Sequence, residues 1–152
     1  MIGSLYYVAI GAQAQTASKT LIEIASSSTS ITLLERVYIG QNSFDTSENL
    51  GCKIQLITTT GTGTATTPVP SQALTAAYAG TVKTNMTIEP TYTANKVEHQ
   101  SGFNVLSGFL WTPASDDEVI SLAPSALVGI MLDVAPSASM NFSYGCTIRQ
   151  IG

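Results

Sequence analysis

The sequence carries little charge, since only 11% of its residues are Asp, Glu, Lys or Arg, against roughly 25% in an average soluble domain. Six residues are basic, they are scattered, and the formal net charge is −4. Because phosphate-binding surfaces need clustered Lys and Arg, this composition argues against a nucleic-acid partner. Few Lys and Glu also leave sheet edges unprotected, so we expect closure or a partner subunit to bury them.

Residues that carry catalysis or bind metals are also scarce. The chain has one histidine, His99, and two cysteines, Cys52 and Cys146. No Gly-x-Ser-x-Gly or cysteine nucleophile motif accompanies His99, which we expect in an exposed loop or an interface. One histidine and two distant cysteines are too few for a zinc site, and Asp116-Asp117-Glu118 lacks the alternation and glycine of an EF-hand. We predict no enzymatic activity, metal or cofactor; two free thiols are favoured, and a disulfide stays open.

Long apolar runs are missing as well. No run approaches the roughly 20 residues needed to cross a bilayer, so we expect no membrane partner. The apolar N-terminus lacks the basic region of a signal peptide, and Leu5–Ile10 is predicted to be the first β-strand. With 152 residues, 44% of them hydrophobic, the chain is long enough to form one domain over residues 1–152 with its own core.

What the sequence does contain is strand pattern, first of all between Ile31 and Thr59. Two β-branched, alternating runs flank the polar segment Gly40–Gly51, which is typical of two antiparallel strands joined by a long hairpin loop. Alternation in the first run predicts two faces. We expect Ile31, Leu33, Glu35, Val37 and Ile39 to point inward, and Thr32, Leu34, Arg36 and Tyr38 to point outward.

The last third shows the same alternation. Leu127–Val134 and Met140–Arg149 flank the turn-like segment Ala135–Ser139, which predicts a second hairpin. The residues expected to point inward are Val128, Ile130, Leu132 and Val134 in the first run, and Met140, Phe142, Tyr144, Cys146 and Ile148 in the second.

The remaining segments complete an all-β pattern. We predict strands at Lys19–Ala25, Thr81–Ile88, Thr91–Val97, Gly102–Leu106, Phe109–Trp111 and Val119–Leu122. We also predict a long exposed loop over Thr58–Pro70, and Ser71–Gly80 is the one segment where a short helix is plausible. About eight to ten strands with at most one short helix indicate an antiparallel β-sandwich, and the long connections favour a jelly-roll-like topology.

Several short segments, in order along nearly the whole chain, carry a resemblance to a known family. They are Ile39-Gly40-Gln41-Asn42-Ser43, Glu48, Gly61-Thr62-Gly63-Thr64, Thr67-Pro68-Val69-Pro70, Ala76-Ala77, Thr84-Asn85, Gly102-Phe103-Asn104-Val105, Trp111-Thr112-Pro113 and the closing Ala135-Pro136…Gly152. In these the chain resembles the head decoration, or cement, proteins of tailed bacteriophages.

The resemblance implies a non-enzymatic virion protein that forms a homotrimer on the outer capsid surface. Such a protein is assembled in the host cytoplasm and bridges neighbouring copies of the major capsid protein. The first strand and the Gly/Thr/Pro segment are then expected to make the subunit or capsid contacts. The residues concerned are Leu5, Tyr6, Tyr7, Val8, Thr62, Thr64, Pro68, Val69 and Pro70.

Two alternatives remain open. One is a carbohydrate-binding β-sandwich, which an exposed Trp111 beside a groove of Asn and Asp would favour, although core and interface packing is the commoner role of such aromatics. The other is a different phage head or tail component, which would form six- or twelve-fold rings.

Overall fold

The computed structural model describes residues 3–43, 47–73 and 75–152, and these form twelve β-strands and one 3₁₀ turn. The 3₁₀ turn is Asp116–Glu118. The strands are β1 (Ser4–Gln15), β2 (Lys19–Ala25), β3 (Ile31–Gln41), β4 (Asn49–Thr59), β5 (Thr62–Thr66), β6 (Val69–Pro70), β7 (Thr81–Ile88), β8 (Thr91–Asn104), β9 (Phe109–Trp111), β10 (Ile120–Leu122), β11 (Leu127–Leu132) and β12 (Met140–Ile151).

The strands form two antiparallel sheets that face each other across one core, so the predicted all-β sandwich is confirmed. Sheet A has the order β10-β3-β12-β1-β6, with β9 also paired to β3, and sheet B has the order β5-β7-β2-β11-β4-β8. The pairs β1–β12, β2–β11, β3–β10 and β4–β8 are nested in the sequence, as in a jelly roll. Strands β5, β6 and β7 are inserted between β4 and β8 and extend both sheets on one side.

Both predicted hairpins are wrong in their pairing. Strands β3 and β12 belong to sheet A, whereas β4 and β11 belong to sheet B, so the connections after Gln41 and after Leu132 cross between the sheets. Alternation defines which side chains face the core, but it does not select the neighbouring strand. Residues 44–46 of the expected loop lie outside the described residues.

The predicted inward set of β3 is wrong in its first half, where Ile31 is exposed and Thr32 and Leu34 are buried. The cause is a β-bulge, because Arg36 lies opposite Thr147 whereas Leu34 lies opposite the next residue of β12, which leaves Glu35 as an additional residue in β3. The bulge exchanges the two faces, and the predicted inward positions Val37 and Ile39 are correct beyond it. Glu35 lies outside the core and receives two hydrogen bonds from Arg149, at 2.6 and 3.2 Å.

Several other positions differ from the predicted pattern. The segment Thr58–Pro70 contains the end of β4, β5 and β6 rather than one loop, so twelve strands replace the expected eight to ten. Apart from Leu74, which lies outside the described residues, Ser71–Gly80 contains no helix. Val134 follows the end of β11 and is exposed, and His99 lies in β8 rather than in a loop.

The core between the sheets is built mainly from the predicted inward positions. Every predicted inward residue of β12 is buried, as are Val128, Ile130 and Leu132 of β11. Cys52 and Cys146 are both buried and free. Within the described ranges, no helix is long and apolar enough to span a membrane.

Two tyrosines lie across glycines on the outer sides of the sheets. A Cβ added to Gly145 would stand 2.5 Å from the Tyr38 hydroxyl, and one added to Gly129 would stand 2.4 Å from the Tyr92 hydroxyl. The missing side chains therefore make room for the rings to cover the backbone of β12 and β11. Tyr92 also shares a 2.6 Å hydrogen bond with Thr20 of β2, which fixes its ring across sheet B.

Candidate binding surfaces

The predicted contact residues gather on one lateral side of the sandwich, where the short strand β6 pairs with β1. Val69 lies directly opposite Tyr7, and Pro70 lies opposite Tyr6. Two residues join β5, the edge strand of sheet B, to β6, the edge strand of sheet A. Thr62 and Thr64 of β5, both exposed, are therefore on the same lateral side. The topology thus brings together two segments that are more than fifty residues apart.

Not all of these side chains are available for contacts in the single chain. Tyr6 and Val8 are only 2% exposed and belong to the core, where the Tyr6 hydroxyl donates a 2.8 Å hydrogen bond to the Ala76 carbonyl. Pro68 is also buried. By contrast, Tyr7 and Val69 are 45% and 62% exposed. The surface part of the predicted set is therefore Leu5, Tyr7, Thr62, Thr64, Val69 and Pro70.

Tyr7 and Val69 lie on the outer face of sheet A, in a region of two neighbouring rows that contain one charged residue, Arg36. Cross-strand partners share a face, and one row across this sheet is Val69, Tyr7, Thr147 and Arg36, followed by a row of Ala9, Gly145, Tyr38 and Leu110. The Arg36 guanidinium lies 5.5 Å from the Tyr38 ring centre, a distance at which the ring attracts the cation. Small and apolar side chains make up most of the rest of these two rows.

The outer side of sheet B carries two ion pairs, whereas that of sheet A carries one, between Arg149 and Glu35. Lys53 lies 3.0 Å from Asp133, and Lys83 lies 3.5 Å from Glu23. Desolvating fixed charges is costly, whereas small and apolar side chains lose water readily on contact. Of the two outer faces, that of sheet A is therefore better suited to packing against another protein.

A polar cleft lies on the opposite lateral side, where β8 of sheet B meets β9 and β10 of sheet A. Its volume is about 420 Å³, within the usual range for small-molecule sites. The eight lining residues are Glu98, His99, Trp111, Asp117, Glu118, Val119, Ile120 and Ser121. We call this feature the Trp111 cleft.

The Trp111 cleft exists because the edge of sheet A is interrupted. Strand β9 pairs with Val37–Ile39 of β3, and β10 pairs with Thr32–Leu34 of the same strand. The segment between β9 and β10 leaves the sheet and forms the 3₁₀ turn that carries Asp117 and Glu118. The opposite wall is β8, which contributes Glu98 and His99.

Aromatic rings connect the cleft to the core. The His99 ring centre lies 6.1 Å from that of Trp111 at an interplanar angle of 45°, and equally far from that of Phe109. Trp111 is half-buried and packs on the core cluster. His99 is thus a half-buried strand residue whose ring lies beside that of the only tryptophan in the sequence.

Sequence reasoning considered these residues one at a time and did not group them. Trp111 was named as a possible sugar contact if it were exposed beside a groove of Asn and Asp; it is half-buried, and its neighbours in the cleft are Glu and Asp without Asn. His99 and the acidic triplet were interpreted as solvent-exposed residues, and Glu98 gave no signal. These residues come together because the nested strand pairing places β8, at the edge of sheet B, next to β9 and β10, at the edge of sheet A. That pairing is a property of the long-range topology. Among the described residues, no group of three or more His, Cys, Asp or Glu is arranged to hold a metal ion.

Comparison with protein-family models finds no match, and comparisons with curated proteins and with solved structures find no significant similarity either. The function is therefore argued from the surfaces themselves.

Proposed function

We propose that the chain is a non-enzymatic virion structural protein, a capsid decoration or cement protein. In this proposal it forms a homotrimer on the outer surface of a phage head and stabilises contacts between major capsid proteins. The resemblance of its short sequence segments to such proteins motivates the proposal, and the jelly-roll sandwich is compatible with it.

The observation that carries the proposal is the exposed apolar pair Tyr7 and Val69, which lies at the β6 edge of sheet A in a row whose one charged residue is Arg36. An edge strand offers backbone groups for pairing with another chain, and cyclic symmetry buries equivalent edges around one axis. Burying the exposed part of each side chain is worth about 1 kcal/mol. The exposure of two apolar side chains at predicted contact positions supports the proposal.

The first test is the mass of the purified protein in solution by light scattering. We expect a stable species near three times the chain mass of 15.9 kDa. The double variant Tyr7→Ser/Val69→Ser removes about 2 kcal/mol per interface, which weakens association roughly 30-fold. Leu106→Ser is the matched control, because Leu106 is 63% exposed but lies beside β9 on the other lateral side.

The second test uses heads assembled without this protein, from a phage whose genome carries its gene. Adding the wild-type chain is expected to raise the temperature at which the heads release DNA, and the double variant is expected to raise it less. A wild-type chain that stays monomeric and leaves the heads unchanged would refute the proposal. Six- or twelve-fold rings would instead favour another head or tail component.

A further inference from the structure

We propose that the Trp111 cleft binds a neutral carbohydrate, with Trp111 as the stacking wall and Glu98, Asp117 and Glu118 as hydrogen-bond acceptors. This site goes beyond the proposed capsid role and does not depend on it. It lies on the lateral side away from Tyr7 and Val69.

The carboxylates that line the cleft have acceptor oxygens that are almost entirely without partners among the described residues. Within the part of the chain that the structure describes, Glu98 and Asp117 take part in no side-chain hydrogen bond and no ion pair, and Glu118 accepts only a 3.4 Å bond from the Ala114 amide. An ionised carboxylate can only accept hydrogen bonds. A ligand that presents several hydroxyl donors matches this lining.

The carboxylate acceptors lie on facing walls of the cavity. Glu98 belongs to β8, whereas Asp117 and Glu118 belong to the 3₁₀ turn on the opposite wall. They do not converge as metal ligands would, since the described residues contain no such group. Acceptors on facing walls suit a ligand whose hydroxyl groups point in several directions, as those of a sugar ring do.

The cleft also has an aromatic residue in its lining. Trp111 is half-buried and, with Val119 and Ile120, supplies the small apolar part of a mainly polar lining, and the C–H groups on one face of a sugar ring can pack on the exposed part of an indole. His99 lies tilted beside the indole, with its Nε2 3.2 Å from the Ser101 hydroxyl, and the hydroxyl of Ser121 both donates and accepts. Together these groups complement both the polar rim and the apolar face of a sugar.

The test exploits the fact that Trp111 is the only tryptophan, so that intrinsic tryptophan fluorescence reports on the cleft alone. The purified full chain is titrated with glucose, galactose, mannose, N-acetylglucosamine and their disaccharides. Choline and arginine amide serve as cationic probes, because an acidic cleft with a tryptophan wall also suits a cation. We expect saturable fluorescence changes with at least one sugar and none with the cations.

Variants then locate the binding by calorimetry, using the sugar that gave the change. Trp111→Ala is expected to weaken binding at least about tenfold, and Asp117→Asn several-fold. Asp116→Asn is the matched control, since Asp116 lies in the same 3₁₀ turn but does not line the cleft. Because Trp111 packs on the core, Glu98→Gln on the exposed strand β8 provides a second variant if Trp111→Ala fails to fold.

Each outcome of these titrations either supports or overturns the carbohydrate site. Sugar binding that falls in the cleft variants and persists in Asp116→Asn supports the site. Saturation by choline or arginine amide but not by any sugar overturns the carbohydrate assignment, as does the absence of saturation by every probe. Neither negative result affects the association test, because that test concerns Tyr7 and Val69.

Discussion

Replacing the buried Glu23 with alanine is expected to destabilise the whole domain and to loosen the β5–β6 insertion. Glu23 is 1% exposed and accepts a 2.9 Å hydrogen bond from the Gly61 amide and another from the Thr60 hydroxyl. Lys83 lies 3.5 Å from the same carboxylate and also donates to Thr60 and to the Gly61 carbonyl, at 2.6 and 2.9 Å. One carboxylate of β2 thus holds the turn between β4 and β5.

The expected magnitude follows from what the substitution leaves behind. A hydrogen bond to a charged group contributes about 1.5–3 kcal/mol, and a buried donor without a partner costs about 1–3 kcal/mol. Lys83 is 27% exposed, so water replaces part of its lost interaction and the ion pair itself adds little. We therefore expect Glu23→Ala to lower the free energy of unfolding by about 3 kcal/mol, or roughly 6–12 °C in Tm for a domain of this size.

Urea denaturation with circular dichroism measures the global loss, and amide hydrogen exchange measures the local one. Exchange of Gly61 and of the β5 amides is expected to accelerate more than that of β12. The matched control is Asp133→Ala, because the Asp133–Lys53 ion pair lies on the same outer side but is 21–25% exposed, and we expect it to cost about 1 kcal/mol or less. Equal losses in the two variants would refute the reasoning that burial makes the Glu23 network strong.

Two further predictions concern a glycine of β12 and the titration of the two buried cysteines. Gly145→Ala is expected to lower the free energy of unfolding, measured by urea denaturation, by about 3 kcal/mol, because the new Cβ would lie 2.2 Å from the Val8 carbonyl oxygen. Gly11→Ala is the control and should be nearly neutral, because a Cβ at Gly11 would have no atom within 4 Å. Equal effects of the two substitutions would contradict the close approach at Gly145. Burial raises the pKa of both Cys52 and Cys146 from 9.0 to about 12, so the native state keeps protons that the unfolded chain releases. The two thiols are therefore expected to add no pH dependence to stability below about pH 9 and to lower stability above it, by up to about 1.4 kcal/mol per pH unit for each thiol. The double variant Cys52→Ala/Cys146→Ala should show a smaller decline, and an unchanged pH profile would contradict this assignment.

The fold class could be predicted from the sequence because alternation is a local property. In β12, Phe142, Tyr144 and Cys146 alternate with small or polar residues, and one sheet face must be buried. The partner of each strand could not be predicted in this way, since β11 and β12 look like a hairpin but join different sheets. Nor could the bulge at Glu35, because one additional residue reverses the faces without any change in composition.

The candidate surfaces show the same division between local pattern and long-range topology. Tyr7 and Val69 were predicted as contact residues, and the β1–β6 pairing places them opposite each other. The members of the Trp111 cleft come from β8, β9, β10 and the 3₁₀ turn, and no local spacing connects His99 with Asp117. Only the interruption of the sheet A edge between Trp111 and Ile120 creates a space between them.

The separation of the two surfaces has a consequence for how they would work together. Strands β5 and β6 form one lateral side of the sandwich, and β8, β9 and β10 form the other. A subunit that associates through Tyr7 and Val69 therefore keeps its Trp111 cleft away from that contact. If both proposals hold, a trimer presents three such clefts, and many weak sugar contacts on one particle combine into strong attachment. Tyr7→Ser/Val69→Ser should then leave the sugar affinity of each chain unchanged but weaken retention of the protein on a densely sugar-coated surface.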